Sequence, residues 1–489
     1  MVYLQPVVRV SGAANGSIVP FAYDPVTTTV PIVEASLDGG LPMRFLFDTG
    51  FNSAVILDTR AAKRLGLILN SDRHETYNSS LPSSSALVHQ LVLRGRTQAD
   101  NLTVDLARAS VLDLGFVRDA TIGSPVDGVI GAGILCDTAV RFNYHTKTLT
   151  FFTQPLPDIV PAGATVLPLT ERDQDNAYFV NQAPSLGAAI PLLVDSGSEG
   201  TNLPLEALAT LHPHAYHVNQ ATMLSSVSLV NDLYLSHFTL GAMIVPHTAV
   251  SVEATETSST AWDPGTLGEN ILSRYQVTLD PPHSRLLLEP PAMPNFNYSW
   301  VGLFLHKVGS GIQVRKVQPG TPAARTGVKS GDRILRVDGY SLQNMAPMLA
   351  QLLVNGAAGT VGVFQFQRGT APPRTVRLAR LAEAYVDPPA LDGLIGRRDQ
   401  AHPLVIKAVL PASAAESAGL HAGDSITTIN GMVTATMTNA QWQDILYEPR
   451  LALTVRAAGS PAVRTLVLQG HAPVSPHQTP LQGTAAPVR

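Results

Sequence analysis

The sequence predicts a mainly β protein built as two duplicated pairs: two β-barrel lobes in one chain, followed by two smaller β domains. Three observations carry this. Apolar runs are short and broken by Gly, Pro, Asn and Ser, with few stretches of helical period. The first half of the chain repeats itself, and so, with a different pattern, does the second. A chain of 489 residues is also too long for one core and fits roughly three to four domains.

Proline-rich joints at 153–165, 288–298 and 386–393 divide the chain. The expected units are an N-terminal extension (1–27), a first lobe (28–155), a second lobe (164–290), two small β domains (298–382 and 388–470) and a disordered tail (471–489).

In the first pair, VPIVEASLDGGLPMRFLFDTG, ending at Gly50, overlays AYFVNQAPSLGAAIPLLVDSG, ending at Gly197. Each copy is a strand, a Gly-containing turn, a second strand and Asp-Thr/Ser-Gly. A short helix is expected next, in DTRAAKRLGL (58–67) and PLEALATLH (204–212), then a polar β-rich stretch. Each copy closes on a Gly-rich apolar turn, DGVIGAGIL (127–135) or GTLGENIL (265–272), at a comparable distance downstream.

An aspartate between Phe-Leu-Phe and Thr-Gly is expected at the end of a buried strand, where a charge needs a partner or takes up a proton. If the two lobes pack about a pseudo-twofold axis, the partner of Asp48 is Asp195. Two carboxylates a few ångströms apart cannot both ionise, so they would share one proton. Such a pair is an acid and a base in one site, able to activate a water and protonate a carbonyl oxygen. Thr49 and Ser196 offer hydroxyls to brace the pair, and Gly50 and Gly197 let backbone amides approach the carboxylates.

Over roughly residues 28–290, Asp48-Thr49-Gly50, Asp195-Ser196-Gly197 and the turn Val129-Ile130-Gly131 resemble the retropepsin-like aspartic proteases. The resemblance implies an acid-protease β-barrel in each half, a cleft between them and a flap hairpin over an extended polypeptide substrate. It places the flap within 73–93 and a second-lobe counterpart within 217–235. It also implies peptide-bond hydrolysis by an Asp48/Asp195 dyad with no cofactor, and an extracytoplasmic setting, periplasmic or secreted. Two residues depart from the pattern: Phe51, expected to narrow the cleft, and Thr266, where an apolar residue is usual.

The third and fourth units share GTPAARTGVKSGDRILRVDG and ASAAESAGLHAGDSITTING, and resemble PDZ domains of the bacterial type. Each carries a second expected helix, around 344–353 and 439–446. The resemblance implies that a peptide or protein C-terminus binds as an added strand, its carboxylate gathered by a Gly-rich loop. The candidate loops are Gly302, Leu303 and Phe304 in one domain and Gly393, Leu394 and Ile395 in the other. Asp332 and Asp424, in the Gly-Asp pairs, are expected to be structural.

Charged residues make up 14% of the chain and net charge is −4, so no basic field exists to hold nucleic acid. No segment is long and apolar enough for a membrane span, and the opening MVYLQPVVRV lacks an export leader. The single Cys136 is expected to be buried. His212, His214 and His217 crowd together, but Pro213 breaks their register and no metal site is assigned. No Gly-x-Ser-x-Gly nucleophile motif occurs in a βα setting. Two readings stay open at this level: an aspartic endopeptidase with peptide-recruiting PDZ domains, and a non-catalytic peptide receptor or scaffold of the same fold.

Overall fold

A computed structural model describes residues 8–22, 30–70, 84–114, 126–172, 176–181, 190–198, 200–209, 211, 215–223, 226–241, 243–253, 265–290, 301–343, 345, 350, 353–356, 359–381, 390–399, 402–437, 441–442, 445–446 and 448–470. The chain is mainly β.

The first lobe is a ten-stranded sheet whose middle carries the strand Met43–Asp48. This strand forms a hairpin with Ile32–Leu37. The turn between them needs left-handed backbone at Asp38 (φ 46°) and Gly39 (φ 74°), which the LDGG sequence supplies at low cost. The unbroken Phe-Leu-Phe run follows from burial on both faces. Phe45 and Phe47 enter the main core, while Leu46 packs with Val30, Ile32, Ile56 and Val129 on the other side. Gly128–Gly131 lies parallel to Met43–Asp48, Gly131 beside Asp48, and antiparallel to Val55–Asp58. The helix Thr59–Arg64 follows, with Asp58 accepting from the Arg60 amide at 2.8 Å.

The second lobe repeats this arrangement. Pro191–Val194 runs antiparallel to Ala177–Asn181 and parallel to Gly265–Leu267, which in turn meets Asn202–Pro204. The expected helix is a short 3-10 turn, Leu205–Ala209.

A six-stranded sheet joins the lobes. Ser17–Pro20 comes from the N-terminal segment, Ala139–Asn143 and Thr148–Phe152 from the first lobe, and Thr165–Pro168, Gln276–Asp280 and Arg285–Glu289 from the second. The seam is antiparallel, with Val140 opposite Leu279 and Phe142 opposite Val277. Phe47 packs edge-on to Phe151 (5.5 Å between centroids) and against Phe142 (5.7 Å), tying the strand that ends at Asp48 to this platform.

The third unit is a sheet in the order Leu303–Val308, Gly311–Val317, Arg333–Val337, Val361–Gln367, Arg374–Ala379. Its helix Pro322–Arg325 is capped by Thr321, as Ser413 caps Ala414–Ser417 in the fourth unit. Most of 344–353 and half of 439–446, the segments expected to form each unit's second helix, lie outside the described residues. The fourth unit holds a surprise for a reading that treats the units as separate. Its first strand, Leu394–Asp399, pairs with Ser226–Leu240 of the second lobe, so one sheet runs through both.

One expectation changes. Cys136 is exposed, because it follows the buried turn Ala132–Ile134 on its outer side. Its thiol donates to Gly133 O (3.3 Å) and Asn176 Oδ1 (3.1 Å). The Phe51 side chain packs on the Val30/Leu46/Val129 cluster of its own lobe. Leu69–Asn70 pairs antiparallel with Ser84–Ala86, and the first part of the expected flap, up to residue 83, lies outside the described residues.

Asp332 is structural. It is buried and accepts from Lys329 N (3.0 Å), Arg368 Nε (2.6 Å) and Arg368 Nη2 (2.8 Å). Burial alone would raise its carboxyl, but the hydrogen bonds from Arg368 and Lys329 outweigh that and hold it below the usual range. A lowered folded value means that the stability contributed is present above about pH 4 and fades as pH falls through that value. Asp332→Ala is expected to cost about 1.5–3 kcal/mol at neutral pH, with the gap to the parent closing in acid, measured by thermal unfolding across pH.

Candidate active site

The two Asp-Thr/Ser-Gly triplets meet where the lobes touch. Thr49 Oγ1 donates to Val194 O at 2.7 Å and accepts from Ser196 N at 3.0 Å. In return, Ser196 Oγ donates to Phe47 O at 3.0 Å and accepts from Thr49 N at 3.1 Å. Both side chains are 1% exposed. Each triplet therefore holds the strand of the other, and the four bonds satisfy backbone groups that the buried junction would otherwise leave unpaired.

This clasp sets the carboxyls face to face, with a hydrogen bond between the Asp48 and Asp195 side chains. Gly50 N donates to Asp48 Oδ1 (2.9 Å) and Gly197 N to Asp195 Oδ1 (2.7 Å). The glycines are required by space: a Cβ on Gly50 would stand 2.5 Å from Asp195 Cγ, and one on Gly197 only 2.1 Å from Asp48 Cγ. Burial first, then the Asp195 charge and hydrogen bond, push the Asp48 carboxyl well above the ordinary range. Burial raises Asp195 too, but the Asp48 hydrogen bond and the amides of Gly197, Ser198 and Gly50 pull it back. Both carboxyls are raised, and the pair shares one proton.

The closing turns obey the same symmetry. Ala132 N donates to Phe51 O (2.7 Å) just as Glu269 N donates to Ser198 O (2.8 Å). Gly131 and Gly268 pass so close beneath that an added Cβ would lie 2.3 Å from Ser53 O and 2.1 Å from Gly200 O. Thr266 does not disturb this, since it sits beside Leu193 in the parallel pair.

Where the first lobe has Ala132, the second has Glu269, which is missing from the sequence-level candidates. Glu269 is 1% exposed and accepts from the Tyr144 hydroxyl of the first lobe at 3.0 Å. Burial drives its carboxyl well above the usual range against the pull of that hydrogen bond, and the charge of Asp195 adds to the rise. Its hydrogen bond to Tyr144 links the two lobes close to Asp195. The only available signal was its register, one residue past Gly268 in GTLGENIL.

The loops of the small domains occupy equivalent places. Gly302 takes φ +91° and accepts from Gln318 N; Gly393 takes φ +80° and accepts from Leu410 N. Leu303 and Leu394 point into the two cores, and Phe304 and Ile395 follow them on the first strands. Gly393 N donates to Asn231 Oδ1 of the second lobe at 2.8 Å. No group of three or more metal-binding side chains forms among the described residues; the side chains of His212, His214 and His217 are not among them.

Residues 33–134 match the family model described as aspartyl protease, and residues 296–363 and 387–456 match the model described as PDZ domain. The chain carries an aspartyl protease domain and two PDZ domains. Na(+)/H(+) exchange regulatory cofactor NHE-RF1 of Gallus gallus is 31% identical over 163 residues, 27% of this chain and 49% of that protein. A putative zinc metalloprotease of Neisseria meningitidis is 31% identical over 150 residues, 30% of this chain and 33% of that protein. The chain thus spans about half the length of the first relative and a third of the second. Among solved structures, the aspartic proteinase from Irpex lacteus is similar over 57% of this chain and 98% of its own, at 16% identity and a TM-score of 0.36.

Thr49→Val is expected to leave the Val194 carbonyl and Ser196 amide unpaired and to cost about 2–4 kcal/mol, whereas Thr49→Ser keeps most of the stability; chemical denaturation measures both. For the raised carboxyls the sign is opposite to that of Asp332. Asp48 and Glu269 hold protons in the folded chain that the unfolded chain has released, so their contribution is full below about pH 4 and falls as pH rises through the raised values. Asp48→Asn is expected to raise the thermal midpoint at neutral pH and flatten its decline with pH, in a pH series of melting curves.

Proposed function

We propose that the chain is an aspartic endopeptidase whose dyad is Asp48 and Asp195. The observation that carries this is the pair of contacting carboxyls at the ends of equivalent strands, locked by the reciprocal Thr49 and Ser196 bonds. The aspartyl protease match over 33–134 supports it. The match does not extend to the second lobe, whose likeness rests on the repeated strand pattern around Asp195.

One carboxylate of the pair takes a proton from a water as that oxygen attacks the scissile carbonyl carbon. The other gives its proton to the carbonyl oxygen, producing a neutral gem-diol and leaving the pair singly protonated. Protonation of the amide nitrogen and return of one diol proton to the dyad then break the C–N bond, giving an acid and an amine. Burial raises the Glu269 carboxyl against the pull of the Tyr144 hydrogen bond, which disfavours a further negative charge beside the pair. Thr49, Gly50, Ser196 and Gly197 position the pair.

The first PDZ domain is the proposed recruiting module. Leu303–Val308 stands at the end of its sheet's strand order, and Gly302, Leu303 and Phe304 lead into it, so a substrate C-terminus can add alongside. Activity in acid to neutral surroundings fits an extracytoplasmic peptidase.

Asp48→Asn and Asp195→Asn are each expected to lower kcat/KM on an unstructured polypeptide by about 10²–10⁴-fold or more with the fold retained. The parent's pH profile should be a bell, falling in base as the raised carboxyl of the pair loses the shared proton and in acid as the second carboxyl takes one up. Full activity in either variant overturns the dyad.

A further inference from the structure

The groove of the second PDZ domain is already filled, by the chain itself. Its first strand, Leu394–Asp399, has Leu404–Val409 on one side. On the other side, where a peptide would add, lies Ser226–Leu240, antiparallel, with Ser226 opposite Asp399 and Leu229 opposite Gly396. The inserted segment therefore runs toward the Gly393 loop, the polarity of a ligand whose C-terminal end reaches the carboxylate-gathering amides.

Two side chains complete the likeness. Leu229 is 2% exposed and belongs to the hydrophobic core of the second PDZ domain, packed with residues such as Leu394, Ile445 and Leu446; it is the one residue of that cluster from outside 390–468 among the described residues. Asn231 is fully buried, accepting from Gly393 N at 2.8 Å and donating through Nδ2 to Leu394 O at 2.9 Å. Its carboxamide oxygen takes the place of a terminal carboxylate oxygen, and its NH₂ satisfies the adjacent carbonyl. Among the described residues, the strand order of the other PDZ domain places no such segment beside Leu303–Val308.

We propose that residues 226–231 are an internal ligand that closes the second PDZ groove, and that a polypeptide C-terminus ending in leucine or a similar apolar residue competes for the same groove and expels them. Tethering spares the internal ligand the association cost a free peptide bears, so the groove is shut until peptide is abundant or the segment is weakened. The expelled strand belongs to the sheet of Asp195. Ser226–Leu240 pairs with Met243–Glu253, which pairs with Asn202–Pro204, next to Gly265–Leu267 and then Pro191–Val194. The proposal rests on the PDZ reading alone, and its readouts are binding and exchange, so a failed dyad would leave them untouched.

The test titrates the full chain, and a Leu229→Asp/Asn231→Ala variant, with a synthetic peptide ending in Val-Ser-Leu with a free carboxylate, using calorimetry to count sites. The variant is expected to gain one equivalent of binding over the parent, and the gain to vanish with the amidated peptide. An unchanged count, or a gain indifferent to amidation, overturns the proposal. Hydrogen exchange on the unmutated chain covers the case of a misfolded variant. Excess free-acid peptide should speed exchange at residues 226–231 at least several-fold, and unchanged exchange there at the highest peptide concentration overturns the proposal equally.

Discussion

The first half of the chain is organised around one constraint: two carboxyl groups held in contact at a buried junction, where only one negative charge can be tolerated. Asp48 and Asp195 would separate if the chain let them. The Thr49 and Ser196 clasp prevents it, because opening the junction would strand the Val194 and Phe47 carbonyls and the Thr49 and Ser196 amides away from water. The glycines at 50 and 197 exist in this light as absences of a Cβ that each opposing carboxyl would strike.

The six-stranded platform makes the arrangement a property of one chain. With Ala139–Asn143 paired to Gln276–Asp280, the lobes are joined by backbone hydrogen bonds directly, and Phe47, Phe142 and Phe151 link that seam to the strand ending at Asp48. Both carboxyls of the site come from the same polypeptide, with no second copy needed to bring them together. Tyr144 and Glu269 add a further inter-lobe contact, bought with a proton that burial keeps on the acid.

Much of this was legible in the sequence, for a physical reason: duplication puts the same strand, turn and aspartate down twice, and a pseudo-twofold pairing is the simplest way to bury both copies. Phe-Leu-Phe before Asp48 and Leu-Leu-Val before Asp195 mark strands covered on both faces. What stayed hidden depended on which side of a turn a residue falls. Cys136 and Phe51 each follow a tight turn, and their spacing says nothing of whether they face core, cleft or solvent. Glu269 looks like an ordinary helix-start acid, and only the fold brings Tyr144 to it. Asn231 lies in a polar-apolar alternation typical of any strand, so its role at Gly393 is invisible until the second lobe and the second PDZ domain share a sheet.

That shared sheet makes the PDZ pair unequal: among the described residues, one domain has its first strand at the end of its sheet and the other has its edge taken by the lobe that carries Asp195. The claim on which the whole account turns is still the shared proton at the dyad. It is tested most directly by following the side-chain carboxyl carbon signals of Asp48 and Asp195 by NMR across pH in the full chain. The account predicts one macroscopic titration of the pair well above the ordinary carboxylate range of about 4, with both signals responding to it. Two independent titrations near that ordinary value would contradict it.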